Sequence, residues 1–323
     1  MKKRSASLIR PSTREFIREA RRAPGYSLID FLHGYIYGRW TYLYIGMGLG
    51  KHPLAIKIAS LLGRLGKLVI TKAAKVKAPN PSANDQTESN GKISFADTYH
   101  GKVMPLESVK QLVLVNEDIR LPDLEQVIPY KRARAIILQN PDHIVVLECP
   151  CRSARPNPCL PLDVCLVVGE PFASFVMEHQ PHKARRISQA EAVAILQAED
   201  ERGHVHHAFF KDAMLDRFYA ICNCCSCCCG AMQAQRNGTP MLASSGYVAQ
   251  VEETLCIGCQ TCVEFCQFNA LSVTDFIAQV DLTACMGCGV CVNHCEQGAL
   301  SLRREASKGE PLEILSLLEQ ASR

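Results

Sequence analysis

Two cysteine runs with the same spacing constrain this chain of 323 residues more than any other feature. The pattern Cys-x2-Cys-x2-Cys-x3-Cys occurs in residues 256–266 and again in residues 285–295. The flanking residues repeat as well, because Val-(Glu/Asp)-x-Thr-x-Cys begins at both Val251 and Val280, and Ala-Leu-Ser follows each run. This duplication predicts two copies of one strand–loop–helix–strand unit, each with a cysteine loop that can curl around a compact metal centre.

The spacing resembles that of bacterial two-cluster ferredoxins, in which the fourth cysteine of each run ligates the cluster of the other run. The resemblance implies two 4Fe–4S clusters. It assigns a first quartet, Cys256, Cys259, Cys262 and Cys295, and a second quartet, Cys285, Cys288, Cys291 and Cys266. Zinc bound by Cys-x2-Cys pairs is the alternative, which the duplicated run disfavours. Gln267 and Glu296 depart from the family, because proline usually follows each fourth cysteine.

Ten further cysteines form two groups in the middle of the chain. They are Cys149, Cys151, Cys159 and Cys165, then Cys222, Cys224, Cys225, Cys227, Cys228 and Cys229. Six cysteines within eight residues cannot all ligate one cubane, so a subset of the ten is predicted to bind metal. An additional iron–sulfur cluster that bridges both groups is favoured, because thiolate-rich sites select soft metals. A structural zinc site and redox-active or free thiols are the alternatives.

Three motifs accompany these ten cysteines. They are Cys149-Pro150-Cys151-Arg152, Cys159-Leu160-Pro161-Leu162-Asp163-Val164-Cys165, and the run from Ile221 to Cys229. Together they resemble a family of larger iron–sulfur proteins from anaerobic microbes, in which such motifs precede a two-cluster ferredoxin end. The resemblance covers residues 143–302 and implies an iron–sulfur role without specifying a reaction. Arg152 is predicted either to hydrogen-bond a cluster sulfur or to lie on the surface.

Charge is distributed unevenly along the chain. Residues 1–84 contain 16 lysines and arginines but only three acidic residues, whereas the whole chain has a net charge of +4. Apolar residues recur at helical spacing in residues 53–76, and tyrosines cluster with Trp40 just upstream. Basic amphipathic helices with aromatic residues often lie at the membrane interface. We therefore predict that residues 1–77 bind an anionic membrane surface or an acidic protein; the alternative is packing on the protein's own core.

Composition and periodicity predict an α+β fold class. The expected segments are a basic, aromatic-rich amphipathic head over 1–77, a linker over 78–92, a mixed α/β cysteine-rich domain over 93–245, a two-cluster ferredoxin domain over 246–302 and a tail over 303–323. Short apolar runs predict strands at residues 144–147, 165–168 and 218–221. If the first and third strands are neighbours, their ends bring both cysteine groups to one sheet edge. A capping box at Ser188 predicts a helix to about Arg202.

These patterns predict an iron–sulfur electron-transfer protein that acts with redox partner proteins. One alternative is an oxidoreductase, or a subunit of one, whose catalytic cluster lies among the ten middle cysteines. A zinc-stabilised adaptor that bears a ferredoxin is a weaker alternative. No catalytic residue is assigned, although His206 is a candidate for a functional role.

The expected compartment is the cytoplasm of an anaerobe, with peripheral attachment at the inner face of the membrane if the head binds lipid. The N-terminus lacks the apolar core of an export signal, and a reducing compartment favours metal ligation over disulfides. The sequence has no apolar run of about 18 residues that would predict a membrane span. No nucleic-acid partner is expected, because nothing resembles a recognition helix or a stacking sheet.

Overall fold

The computed structural model describes residues 9–50 and 95–321. These residues combine helices with β-sheets, which confirms the α+β class. The helices are α1 (Pro11–Arg22), α2 (Leu28–Arg39), α3 (Thr41–Gly48), α4 (Phe95–Thr98), α5 (Leu106–Leu114), α6 (Pro150–Ser153), α7 (Phe172–His179), α8 (Gln189–Glu201), α9 (Gly230–Arg236), α10 (Thr261–Phe265), α11 (Val290–Asn293) and α12 (Ile314–Ala321). The predicted helix over 53–76 and the linker over 78–92 lie outside the described residues.

An eight-stranded sheet forms the centre of the molecule. Its strands are β1 (Tyr99–Met104), β2 (Ile119–Leu121), β3 (Ile136–Glu148), β4 (Asp163–Glu170), β5 (Ala184–Ile187), β6 (Val205–Lys211), β7 (Arg217–Cys224) and β8 (Leu242–Ala243). They lie in the order β2–β3–β4–β7–β6–β1–β8, and β5 pairs with β3 beside this path. All pairs are antiparallel except β1 with β8.

The three predicted strands lie within β3, β4 and β7, but β3 and β7 are not neighbours. Strand β4 lies between them and pairs antiparallel with both. Strands β3 and β7 therefore run in the same direction and end at the same sheet edge. The predicted adjacency is therefore wrong, but the cysteine groups still meet, because Cys149 follows the end of β3 and Cys165 faces Cys222 across the β4–β7 pair.

Two hydrophobic cores cover the two faces of the sheet. On one face, α5, α8 and α12 pack apolar residues such as Leu112, Leu196 and Ile314 against the strands. On the other face, α1, α2, α7 and α9 contribute to a core that includes Phe16 and Phe175. Helix α8 begins as predicted, since the Ser188 side chain accepts a hydrogen bond from the backbone N–H of Glu191. Both faces of the central sheet are thus covered by helices, and cysteines of both groups belong to the core on the second face.

The three N-terminal helices pack directly on the middle of the chain. Helix α2 begins with a capping box formed by Ser27 and Asp30. A Cβ atom at Gly34 would lie 2.0 Å from the Ala213 carbonyl oxygen, so this close approach requires glycine. The Tyr37 hydroxyl lies 2.6 Å from that of Tyr219. The sequence left two predictions open for the aromatic cluster, binding to a membrane or an acidic protein and packing on the protein's own core. Most of its tyrosines pack on the core, whereas the Trp40 side chain is exposed.

The C-terminal module contains the two predicted repeats. The first comprises β9 (Tyr247–Val251), α10 and β10 (Leu271–Thr274), and the second comprises β11 (Ile277–Val280), α11 and β12 (Leu300–Arg304). Strand β9 pairs with β12, and β10 pairs with β11, so each strand of one repeat pairs with a strand of the other. No helix within residues 9–50 and 95–321 is long and apolar enough to span a membrane.

Candidate metal and thiol sites

Each quartet of the C-terminal module surrounds its own cavity. The first quartet lines one cavity together with Thr261 and Ala278, and the second quartet lines another together with Phe268 and Met286. In both cavities three cysteines come from one run and the fourth comes from the other run. The fold brings the fourth cysteines across because helices α10 and α11 carry Cys266 and Cys295 away from their own loops.

Backbone N–H groups point at the quartet sulfurs. Ala278 donates to the Cys256 sulfur and Ala249 donates to the Cys285 sulfur, both at 3.4 Å, and these two contacts are equivalent in the repeats. Ala270 donates to the Cys266 sulfur at 3.2 Å. Hydrogen bonds to cluster sulfurs are one of the means by which proteins set reduction potentials. The residues present therefore fit the cubanes that the spacing predicts.

The cysteine loops turn through glycines that no other residue can replace without strain. Gly258 and Gly287 occupy equivalent positions and both have positive φ, 66° and 65°. A Cβ atom would lie 2.6 Å from the Phe276 carbonyl oxygen at Gly258 and 2.1 Å from the Tyr247 carbonyl oxygen at Gly287. Backbone of the neighbouring repeat thus packs directly on each loop.

The two quartets differ in exposure. Around the first quartet, Cys259 is exposed, as are the side chains of Leu255 and Ile257. The second quartet packs on the central sheet. Val290, which precedes Cys291 in α11, forms a small apolar core with Val103 of β1 and Val205 of β6. The first quartet therefore faces solvent, and the second faces the domain that holds the other ten cysteines.

Those ten cysteines divide into two groups in the structure. Six of them form a thiol chain, in which each sulfur contacts the next in the order Cys222, Cys165, Cys149, Cys151, Cys229 and Cys224. The other four form a thiol tetrad, Cys159, Cys225, Cys227 and Cys228. The thiol chain and the thiol tetrad each contain cysteines from residues 149–165 and from residues 222–229. The spacing in the sequence therefore could not show which cysteine belongs to which site.

The thiol chain lines a cavity of about 70 Å³ at the edge of the central sheet. Aromatic and apolar side chains close the cavity, among them Tyr37, Tyr99 and Tyr219 from α2, β1 and β7. Cys225 and Cys228 of the thiol tetrad also reach its lining. A dry pocket with six thiols offers more soft ligands than the four that a cubane needs.

Burial makes the free thiolate form costly in these sites. The hydrogen bond to Cys151, together with burial, raises the pKa of Cys149 to about 12. Burial also raises the pKa of Cys288 in the second quartet to about 12. Without a metal these thiols stay protonated at neutral pH, and a bound cation would supply the charge that stabilises thiolates. The donor set therefore fits a soft metal or an iron–sulfur cluster.

Arg152 is buried, so the expectation of a surface arginine is wrong. Its Nη2 donates to Glu199 Oε2 at 2.5 Å and to the Asn223 carbonyl oxygen at 3.0 Å, while Nη1 donates to the Pro161 carbonyl oxygen at 2.6 Å. Burial opposes the charge on Glu199, but hydrogen bonds from His204 and Arg152 lower its pKa. No local pattern predicts this pair, because Glu199 lies 47 residues away on α8.

His206 is fully buried and belongs to a polar chain outside the thiol cavity. Its Nδ1 lies 2.7 Å from Asn223 Oδ1, and its Nε2 lies 3.6 Å from Asp200 Oδ1. Asn293 of the C-terminal module donates to the other oxygen of Asp200 at 2.8 Å. His206 and Asp200 thus link Asn223, which precedes Cys224, to Asn293 in α11 of the C-terminal module.

Gln267, one of the two departures from the ferredoxin pattern, contacts the second cysteine group. Its side-chain oxygen accepts a hydrogen bond from the backbone N–H of Ser226 at 2.9 Å, and Arg236 donates to its carbonyl oxygen at 2.9 Å. Proline at this position has no amide side chain with which to accept the first of these bonds. The departure therefore has a structural reason, since it fixes the module against the turn that carries the thiol tetrad.

Comparison with known proteins identifies the C-terminal module. A family model for the 4Fe-4S dicluster domain matches residues 255–299. No curated protein matches the chain significantly. The chain is therefore an iron–sulfur protein with a ferredoxin-type dicluster module at residues 255–299.

Proposed function

We propose that this protein transfers electrons between a redox partner protein and an additional iron–sulfur cluster in its middle domain. The two quartets would each hold a 4Fe–4S cluster, and the thiol chain would hold the additional one. The clusters, when bound, supply the one-electron chemistry. One observation carries the proposal: Phe268 and Met286 line the cavity of the second quartet and also pack against the core that contains Cys149, Cys224 and Cys229.

The order of the sites follows from their exposure. The first quartet is the one at the surface, with Cys259 exposed, so it is the place where a partner protein exchanges electrons. The second quartet packs on the central sheet, so it is the quartet that would pass electrons on to the thiol chain. Phe268 and Met286 join the second quartet to the core around the thiol chain, so the module would be the route for electrons to a cluster there.

Metal analysis of the full chain after anaerobic purification tests this proposal. We expect about twelve irons and a matching amount of acid-labile sulfide if three cubanes are present, since each cubane holds four irons. Replacing Cys149, Cys151 and Cys229 together by serine leaves three thiols in the thiol chain, fewer than a cubane needs, and should remove about four irons while keeping the other eight. A wild-type protein with only about eight irons would contradict the additional cluster.

A second candidate function, an iron–sulfur oxidoreductase, is favoured by a cavity that adjoins the thiol chain. This cavity of about 180 Å³ shares Tyr37, Tyr99 and Cys151 with the lining of the thiol chain and contains the buried Lys211. Burial lowers the pKa of Lys211, and its Nζ lies 3.3 Å from Asp212 Oδ1. A substrate that enters here would meet Cys151, so a spectral change of the middle cluster on addition of substrate would distinguish an enzyme from a carrier.

Helices α2 and α3 provide the candidate surface for the anionic membrane partner. Large apolar side chains on them are exposed, including Leu28, Ile29, Leu32, Ile36, Trp40 and Leu43. Exposed apolar patches of this kind mark interaction sites. The basic excess of residues 1–84 complements an anionic lipid surface, which attracts lysines and arginines by about 1 kcal/mol each near the surface.

Vesicle sedimentation tests the lipid surface. The full chain should sediment with vesicles that contain about a third phosphatidylglycerol and not with pure phosphatidylcholine vesicles, because both charge and apolar burial are needed. Ile29→Glu combined with Leu32→Glu should reduce sedimentation at least tenfold. Leu114→Glu, on the exposed side of α5, is the matched control and should have no effect. If the double variant and Leu114→Glu sediment equally with the vesicles, the proposal that α2 and α3 bind lipid is wrong.

A further inference from the structure

We propose that the thiol tetrad, which shares no cysteine with the thiol chain, is a second metal site and binds a single zinc ion. The four sulfurs, from Cys159, Cys225, Cys227 and Cys228, all lie within 4.8 Å of one another. This inference concerns cysteines that the proposed electron-transfer function does not use. The ten middle cysteines would then form two sites with different metals, an iron–sulfur cluster in the thiol chain and zinc in the thiol tetrad.

The distances between sulfurs distinguish one ion from a cluster. The Cys159 and Cys227 sulfurs are 3.2 Å apart, and those of Cys227 and Cys228 are 3.7 Å apart. A tetrahedral zinc ion with zinc–sulfur bonds of about 2.3 Å holds its sulfurs roughly 3.8 Å from one another. A cubane spreads its thiolates farther, because each of them binds a different iron.

The ferredoxin quartets provide an internal comparison. Within residues 9–50 and 95–321, the thiol tetrad is the only group of three or more cysteines, histidines or acidic residues whose ligand atoms gather within this limit. The two quartets are more widely spaced and surround cavities. The same fold therefore contains open quartets that fit cubanes and one compact tetrad that fits a single ion.

The surroundings of the tetrad hold its ligands in place. Arg155 donates to the Cys228 carbonyl oxygen at 3.0 Å, and Gln233 donates to the Cys227 carbonyl oxygen at 2.7 Å. Four thiolates and one zinc ion carry a net charge of −2, which Arg155 and the nearby Arg236 offset. Partners of this kind around a metal site orient its ligands. Because four protein thiolates fill the tetrahedral coordination of zinc, the site has no open position and is structural.

The position of the tetrad indicates what the ion would stabilise. Cys159 comes from the loop between α6 and β4, and the other three come from the turn between β7 and α9. Ser226, within that turn, donates to Gln267 of the C-terminal module. A zinc ion would therefore join two loops and fix the turn on which the module packs.

Zinc and iron analysis of the full chain, purified anaerobically, tests this proposal. We expect one zinc per chain in the wild type and a loss of at least tenfold in zinc for Cys159→Ser and for Cys227→Ser, with iron unchanged. Cys222→Ser in the thiol chain is the matched control and should keep its zinc. A wild type with about eight irons and one zinc would mean that the additional cluster fails while the zinc site stands.

X-ray absorption at the zinc edge tests the same site without any substitution. Four sulfur ligands at about 2.3 Å are expected. The proposal is overturned by a wild type without zinc, by zinc bound to nitrogen or oxygen, or by a Cys159–Cys227 disulfide in the purified protein. It is equally overturned if Cys159→Ser lowers iron and leaves zinc intact. Retained ferredoxin absorption in the variants would show that they fold.

Discussion

Gly287→Ala should abolish cluster binding at the second quartet. The added Cβ atom would lie 2.1 Å from the Tyr247 carbonyl oxygen and 2.4 Å from the Ser245 hydroxyl, and φ at this position is +65°. Neither contact can relax easily, because Tyr247 begins β9 and the Ser245 hydroxyl donates to the Gly287 carbonyl oxygen. We expect a loss of about four irons per chain, since a cubane holds four, and a weaker absorption band of the module.

Gly298→Ala is the matched control for this prediction. Gly298 also has a positive φ, +61°, but no atom lies within 4 Å of the position that its Cβ would take. Its cost is therefore limited to the left-handed backbone, about 1–2 kcal/mol, and its iron content should match the wild type. If Gly287→Ala keeps as much iron as Gly298→Ala, the close packing of the two repeats does not shape the cysteine loop.

Arg152→Met should destabilise the middle domain by about 3 kcal/mol. Removing one partner of a buried ion pair typically costs 3–5 kcal/mol. We expect the lower end of this range, because Glu199 keeps its contacts with Arg202 and His204. Arg152 and Glu199 are each almost completely buried, and the Arg152 guanidinium also holds two backbone carbonyl oxygens. Thermal unfolding followed by circular dichroism should show a midpoint lower by roughly 5–10 °C.

Arg202→Met tests whether the burial of the arginine decides this effect, because both arginines contact Glu199. Arg202 also contacts Glu199, at 3.1 Å, but its side chain is 45% exposed. Exposed ion pairs contribute about 0–1 kcal/mol, so its loss should shift the midpoint by less than roughly 2 °C. In Arg152→Met/Glu199→Met the buried charge is gone, and part of the lost stability should return. Equal effects of Arg152→Met and Arg202→Met would contradict a buried pair.

The C-terminal module could be predicted from local sequence because its signal is local. The cysteine spacing and the repeat predicted both strand–loop–helix–strand units, and the structure contains them. The middle domain was less predictable. Its strands were recognised from short apolar runs, but β4 lies between β3 and β7, and pairing between strands distant in sequence depends on the whole sheet.

The sequence by itself determined which residues can bind metal and which segment is a ferredoxin-type module, because ligand chemistry and loop spacing are properties of the chain. Only the tertiary structure decided how the ten middle cysteines are shared. Neighbours such as Cys224 and Cys225 point to different sites, the thiol chain and the thiol tetrad. Likewise Arg152 meets Glu199, and Gln267 meets Ser226, across long separations in sequence. Such contacts arise from the packing of whole elements, since no local pattern specifies the direction of a side chain in a turn.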